Sequence, residues 1–402
     1  MKYFMMLLLL LFLPAGYSVA EERNAVVLIS IDGFMPEYLD RTDTPNFDRM
    51  IADGVMADYL IPVFPTLTFT NHYSIVTGRY PENHGIISNT MYDPGWDATF
   101  SLGNRGEIVK GRWYEGEPLW VTAEKQGVRT ASLFWVGSEA EIAGVRPTRW
   151  NEYDSSLPHE QRVDSVISWL TLEDATRPDF VTLYFSRPDS RAHSHGRYSD
   201  EVTEAIAEMD EVLGYLMDEL KRTGLSETTN LIMVSDHGMT DLSEEKVIFL
   251  DDIIDLDEVR VVGWGPVTMI RPEDGKREEV YRQLKEEEEH YSVYYREELP
   301  EAYRIGSHRR TPEIIMVADL PWVTSSRPFF ERRGVLAANH GWDHREPDMR
   351  TFFLAQGPDF HEGKQVEAFE LIHIYEMICH ILEIEPADND GAFEKVRHMI
   401  RR

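Results

Sequence analysis

The sequence is short of cysteine, of glycosylation acceptors, of long apolar runs and of positive charge. Cysteine occurs once in 402 residues, at Cys379, so no intramolecular disulfide can form, and its setting in Ile378-Cys379-His380-Ile381 reads as a buried helix position rather than a catalytic thiol. No Asn-x-Ser/Thr sequon is present. The one long apolar run, Phe4 to Leu13, is too short to span a bilayer comfortably. With Lys2 before it and Ser18-Val19-Ala20 after it, the run reads as a secretory signal peptide over residues 1–20. No other stretch suits a membrane helix, so no stable membrane anchor is expected. Export, with the missing disulfide and sequon, points to a bacterial periplasm or otherwise to secretion. Basic residues number 40 against 71 acidic, a net charge of -31, and such a chain repels polyanions. Nucleic-acid polymers are thereby excluded as partners. The sequence sets no oligomeric state.

Residues 21–402 suffice for one large α/β domain. Ala25 to Ile31 is a β-branched run of the buried parallel-strand kind, ending at Asp32-Gly33. Val181 to Phe185 and Asn230 to Ser235 repeat the pattern, ending near Asp189 and at Asp236-His237-Gly238. Helices are expected over Thr70 to Thr77, Glu117 to Gln126, Gln161 to Leu170 and Ser199 to Thr223, the last with Ser199 as cap and Gly224 as stop. From about 251 to 324 the chain turns more charged, with two strand-like pieces around a helix from Lys276 to Glu289, and reads as a small inserted α+β lobe. The main sheet is expected to resume over Val335 to Asn339 and Thr351 to Ala355, before a last helix over Val366 to Leu382. Strand and helix alternate as in a doubly wound sheet flanked by helices.

Pro65 to His72, with Thr68 at its centre, is the stretch the chemistry turns on. Its bland reading is a helix N-terminus, since Thr66, Thr68 and Thr70 are all credible caps. Threonine is a poor nucleophile until a base or metal removes its proton. Asp32, Thr68, Asp189, His193, Asp236, His237 and His340 each fall near the C-terminal end of a predicted strand, where open α/β sheets gather ligands. Mixed carboxylate and imidazole donors suit zinc, and six suffice for two ions sharing a nucleophile.

These residues resemble the nucleotide pyrophosphatase/phosphodiesterase family of the alkaline phosphatase superfamily. The resemblance runs from Val26 to about Pro386. It is carried by Ile29-Ser30-Ile31-Asp32-Gly33, Pro65-Thr66-Leu67-Thr68-Phe69-Thr70-Asn71-His72, Asn89-Thr90-Met91-Tyr92-Asp93-Pro94, Trp113-Tyr114-Glu115-Gly116-Glu117-Pro118, Pro188-Asp189, His193, Ser235-Asp236-His237-Gly238-Met239 and His340-Gly341. It implies an alkaline-phosphatase-like fold and two zinc ions per chain. One would be held by Asp189, His193 and His340, the other by Asp32, Asp236 and His237 with the Thr68 oxygen. It implies a phosphodiesterase releasing nucleoside 5'-monophosphate through a phosphothreonine, with Asn89 donating to a phosphoryl oxygen. Phe69 and Tyr153 match the pair of aromatics that clasp a base in nucleotide-hydrolysing members, and Leu102 and Tyr184 match positions lining that pocket. Val136 replaces the usual proline, Arg187 and Arg191 stand where relatives have other residues, and Lys110 is a loose match to a pocket lysine. The rival readings are a lysophospholipid or choline-phosphate ester hydrolase, a phosphomonoesterase of the same superfamily, and a binding protein without catalysis.

Overall fold

A computed structural model describes residues 23–401; the expected signal peptide lies outside the described residues. The strand Ala25–Ile31 is buried at all seven positions. Val26 and Leu28 enter one apolar layer, while Val27, Ile29 and Ile31 enter the other. A strand covered on both faces has no polar side to present, which is why it reads as a continuous apolar run.

That strand sits inside an eight-stranded sheet. Its order is Lys364–Val366, Val55–Ala57, Phe353–Gln356, Thr229–Val234, Ala25–Ile31, Phe180–Phe185, Thr130–Leu133 and Arg149–Asn151. Neighbours run parallel except around Phe353–Gln356, which is antiparallel to both of its partners. The helices Thr68–Thr77, Leu119–Lys125 and His373–Ile381 pack into one layer, and Pro45–Ala52, His159–Leu170 and Asp200–Thr223 into the other. The result is the α/β sandwich expected. Ser199 accepts a hydrogen bond from the Val202 amide at the start of the long helix, and Gly224 (φ +76°) ends it.

A second sheet of four antiparallel strands has the order Val259–Val262, Val267–Pro272, Ile314–Ala318, Tyr291–Tyr295. The helix Arg277–Glu286 covers it through Val280 and Leu284, closing a small separate core with Ile270, Val293 and Met316. The sequence suggested only two strand-like pieces here.

Two other expectations need correcting. Val335 to Asn339 does not rejoin the main sheet: only Ala338–Asn339 pairs, with Thr240–Asp241 in a separate ribbon. Its run is apolar, but only Val335 in it is β-branched, and residues 335–337 lie partly exposed outside the main sheet. Near the C-terminus, Lys364–Val366 and Phe369–Glu370 form parallel strands with Val55–Ala57 and Leu60–Ile61, so the helix begins at His373. No helix among the described residues is long and apolar enough to cross a membrane.

Candidate active site

Three acids meet above the central strands. Asp32 follows Ala25–Ile31, Asp236 lies just past Thr229–Val234, and Asp189 opens the helix Asp189–His195 after Phe180–Phe185. Backbone bonds sew them together: the Asp189 amide donates to the Asp32 carbonyl (3.1 Å) and the Gly33 amide to Asp236 Oδ1 (3.2 Å). Gly33 has φ +65°, and a Cβ there would stand 2.9 Å from that of Asp189. Only glycine allows this approach.

Three histidines face the acids, each with Nδ1 committed to a backbone carbonyl. His237 pairs with Gly238 (2.9 Å), His340 with Thr66 (2.8 Å) and His193 with Ala338 (2.8 Å). The Nδ1 proton is thereby fixed, and each Nε2 lone pair is left for the cluster. His237 Nε2 lies 3.3 Å from Asp32 Oδ1 and 3.0 Å from Asp236 Oδ2, and His193 Nε2 lies 3.2 Å from Asp189 Oδ1. Asp32 Oδ1, Asp189 Oδ1 and Asp236 Oδ2 are buried without a hydrogen bond.

Lone pairs facing lone pairs in a buried space are what a divalent cation reconciles, so the donor set fits metal ions. Ligand atoms of Asp32, Asp236 and His237 lie within 4.8 Å of one another, as do those of Asp189, His237 and His340. The first group is the expected trio. In the second, His237 stands in the tight cluster, with His193 alongside against Asp189.

The charges are strained in the way such crowding demands. Burial, with the Asp236 and Asp189 carboxylates nearby, pushes the Asp32 carboxyl well up. Burial also opposes ionisation of Asp236, but His237 and His72 hold it well below the carboxylate range. Burial and the neighbouring His237 push His340 down to about 3.

Thr68 opens the helix Thr68–Thr77, of which eight residues are buried, and Gly78 (φ +63°) ends it. None of the three threonines caps it. Leu67 occupies the cap position with no side-chain bond, Thr66 Oγ1 donates to the Trp342 carbonyl (3.0 Å), and Thr70 Oγ1 has no partner. Thr68 Oγ1 instead stands 3.2 Å from His237 Nε2, at the shared edge of the two groups. Neither Thr68 nor His340 follows a main-sheet strand; Thr68 is the first residue of a helix, and His340 follows the short ribbon. The Phe69 amide donates to Asn89 Oδ1 (2.9 Å) rather than facing open space. That bond occupies Oδ1, so the NH2 group is the part of the Asn89 amide that remains as a donor.

A cavity of about 420 Å³ opens from Thr68 and is lined by Phe69, Asn89, Leu102, Tyr153 and Tyr184, together with Asp32, Asp189, His193 and His340. Leu102 (48 % exposed) and Tyr153 (39 % exposed) stand uncovered there, as apolar side chains do where a ligand covers them. Apart from Arg187, Arg191 and Lys110, the site residues expected from the sequence therefore meet in or beside this one space.

Sequence reasoning overlooked several. Phe134, Trp135, Arg105 and Glu139 also line the cavity. Glu139 accepts from Arg105 Nη1 (3.1 Å) and from the Tyr153 amide (3.1 Å), so it holds the aromatic in place. His72 lies one turn beyond Thr68, its Nδ1 2.8 Å from the Thr68 carbonyl and 3.2 Å from Asp236 Oδ2. Its i+4 spacing from Thr68 on a helix was the available signal.

Three cations stay outside. Arg187 is bound to Glu208, Lys110 Nζ to Glu107 (2.6 Å), and Arg191 stands clear of the cavity lining. None supplies the pocket cation the sequence left open.

Residues 26–343 match the family model described as type I phosphodiesterase / nucleotide pyrophosphatase. Human ectonucleotide pyrophosphatase/phosphodiesterase family member 1 is 38% identical over 400 residues, covering 96% of this chain and 42% of the relative. A venom phosphodiesterase of Crotalus durissus collilineatus is 35% identical over 399 residues, covering 96% of this chain and 47% of the relative. The chain spans less than half the length of these curated relatives. Among solved structures, murine ectonucleotide pyrophosphatase/phosphodiesterase 5, as an inactive threonine-to-alanine variant in complex with AMP, superposes with a TM-score of 0.90 at 34% identity, covering 94% of this chain and all of that one.

Proposed function

This chain belongs to the type I phosphodiesterase/nucleotide pyrophosphatase family, and on that premise we propose that it hydrolyses nucleotide phosphodiester or pyrophosphate bonds to release a nucleoside 5'-monophosphate. The observation that carries the reading is the position of Thr68. Its hydroxyl stands at the shared edge of two metal-ligand groups and at the mouth of an aromatic-lined cavity.

Two zinc ions are the proposed cofactors. Asp189, His193 and His340 would hold one, and Asp32, Asp236 and His237 with the Thr68 oxygen the other. When bound, such ions lower the pKa of oxygen nucleophiles and offset charge on the phosphoryl group.

The chain's own residues supply the rest. Phe69 and Tyr153 stack on the base, with Leu102 and Tyr184 closing the pocket, and place phosphorus within reach of Thr68. Asn89 directs its NH2 group at a non-bridging oxygen, where a fixed donor acts most strongly as charge develops. Thr68 gives up its hydroxyl proton, which goes by way of solvent to the leaving oxygen; Oγ1 bonds to phosphorus as the bond to that oxygen breaks, and the alcohol or pyrophosphate departs. Water then attacks the phosphothreonine, the bond from phosphorus to Oγ1 breaks, and the monophosphate leaves as Thr68 regains its proton.

A monoester carries an additional negative charge that asks for a cation; neither Arg187 nor Arg191 lines the cavity, and Arg105, which does, is already paired with Glu139 and Glu152, which favours a diester. The aromatic lining does suit a choline headgroup as well as a base. The proposal places the protein outside the cytoplasm, in a periplasm or secreted, in keeping with the "ecto" and "venom" names of its relatives.

The test is product analysis by mass spectrometry after zinc loading, with ATP, a dinucleotide polyphosphate, lysophosphatidylcholine, glycerophosphocholine and an aryl monoester. AMP and pyrophosphate from ATP, abolished by EDTA and restored by zinc, is the expected result. Choline-containing products with ATP intact would move the chain to the lipid-ester reading. Ligand binding with no turnover of any substrate would make it a binding protein.

A further inference from the structure

Arg310 is fully buried and belongs to the segment leading into the second sheet's strand Ile314–Ala318. A buried guanidinium is costly unless every donor finds an acceptor. All five of its N–H groups do. Nε donates to Asp93 Oδ2 (2.9 Å), Nη1 to the carbonyls of Gly85 (2.6 Å) and Trp113 (2.7 Å), and Nη2 to the Arg112 carbonyl and Glu115 (both 3.3 Å). Asp93 is itself fully buried.

Two of those acceptors, Gly85 and Asp93, flank Asn89 symmetrically in the chain, four residues to either side. One rigid, planar group therefore grips both ends of the segment that carries the amide, a turn over 85–89 running into the strand Thr90–Asp93. The grip is close: a Cβ on Gly85, which has φ +76°, would lie 2.6 Å from Arg310 Nη1. Between those ends Ile86, Ile87 and Met91 are buried and Thr90–Asp93 pairs with Ala98–Ser101, while the Asn89 side chain itself accepts from the Phe69 amide through Oδ1. Lysine could replace the charge but not the fork.

We infer that Arg310 is a positioning residue for Asn89, so that the second sheet, through one side chain, sets the aim of the phosphoryl-oxygen donor. The inference rests on the proposed diesterase reading and on the role of Asn89 within it. It makes the second sheet part of the catalytic frame and not an ornament beside it.

The experiment is a double-mutant cycle on a nucleotide diester, with kcat and KM measured separately at saturating zinc. Arg310→Lys is expected to lower kcat about 10-fold or more with KM within about twofold. In an Asn89→Ala background the same change should cost less than about twofold, because there is no amide left to aim. Asp93→Asn, which keeps the side-chain shape, carries the same expectation if Arg310→Lys does not fold. Arg309→Ala is the control: Arg309 also reaches Asp93 and Glu115 but touches no loop carbonyl, and its loss should leave kcat unchanged. Equal losses with and without Asn89, or a wild-type kcat in Arg310→Lys, overturn the inference. A wild type inert towards every diester sinks the parent reading along with it, whereas an active wild type with equal losses sinks the inference alone.

Discussion

The Tyr184 hydroxyl donates a 2.5 Å hydrogen bond to Asp32 Oδ2. Tyr184 is thus both a wall of the cavity and a support for the carboxylate of a proposed metal ligand, whose other oxygen is left for the cluster. Supports of this kind tune ligands, and losing one typically costs about 10–100-fold in metal affinity. Tyr184→Phe should weaken metal binding by that order in a competitive chelator titration. With excess zinc its kcat should return to near the wild-type value. Unchanged affinity would reduce Tyr184 to a pocket wall.

Thr68→Ala should abolish turnover, by about 10³-fold or more, while leaving nucleoside monophosphate binding intact. Thr68→Ser, which keeps the hydroxyl, should retain measurable activity. Calorimetric titration with AMP, run beside the assay, separates lost chemistry from lost folding. Residual turnover in Thr68→Ala close to wild type would mean that water attacks directly.

Phe69→Ala and Tyr153→Ala should each raise KM for a nucleotide substrate about 10-fold or more, since stacking contributes about 1–3 kcal/mol per base. An aryl phosphodiester without a base should feel much less. Equal effects on both substrates would show that the two rings only shape the cavity.

His84 carries a pH signature away from the metal ligands. It is fully buried, with Nε2 2.8 Å from Ser74 Oγ and Nδ1 accepting from the Ile86 amide (3.1 Å). Burial, reinforced by His308, pushes it down to about 3. An unfolded histidine titrates near 6.5, so between these values the unfolded chain binds the proton and the folded chain does not. Stability is therefore whole above about pH 6.5 and drains away as the pH falls towards 3. Between pH 7.5 and 5.5 this group should remove about 1.4 kcal/mol. His84→Gln should lose that much less across the same interval in denaturant titrations. An identical loss in both proteins would clear His84 of the effect.

The acids at the site were readable because Asp32, Asp189 and Asp236 follow buried β-branched runs that only a covered parallel sheet explains. Ser199 and Gly224 marked a helix by capping chemistry, which is local and so visible in sequence. Thr68 and His340 were also read as strand-end residues, and for these two that logic fails, since neither follows a strand of the main sheet; only the motifs around them mark them. Arg105, Glu139 and Arg310 escaped notice for another reason. Their partners lie far away in the chain, and nothing in the spacing of an arginine announces which loop it will hold. The ribbon at Ala338–Asn339 was misread because an apolar run was taken for a strand although only Val335 in it is β-branched, and membership of a sheet depends on a vacant edge.

The strand Phe353–Gln356 lies between Val55–Ala57 and Thr229–Val234 and runs against both. Until it is made, the two parts of the sheet have no ladder joining them. At about 5–20 residues per second, a ribosome that has finished Val55–Ala57 still needs on the order of tens of seconds to reach it. His340 emerges only shortly before. On the proposed reading, a nascent chain stopped short of His340 lacks a residue of the site, so the capacity to cut phosphoesters appears at once when this late segment is made instead of growing with the chain.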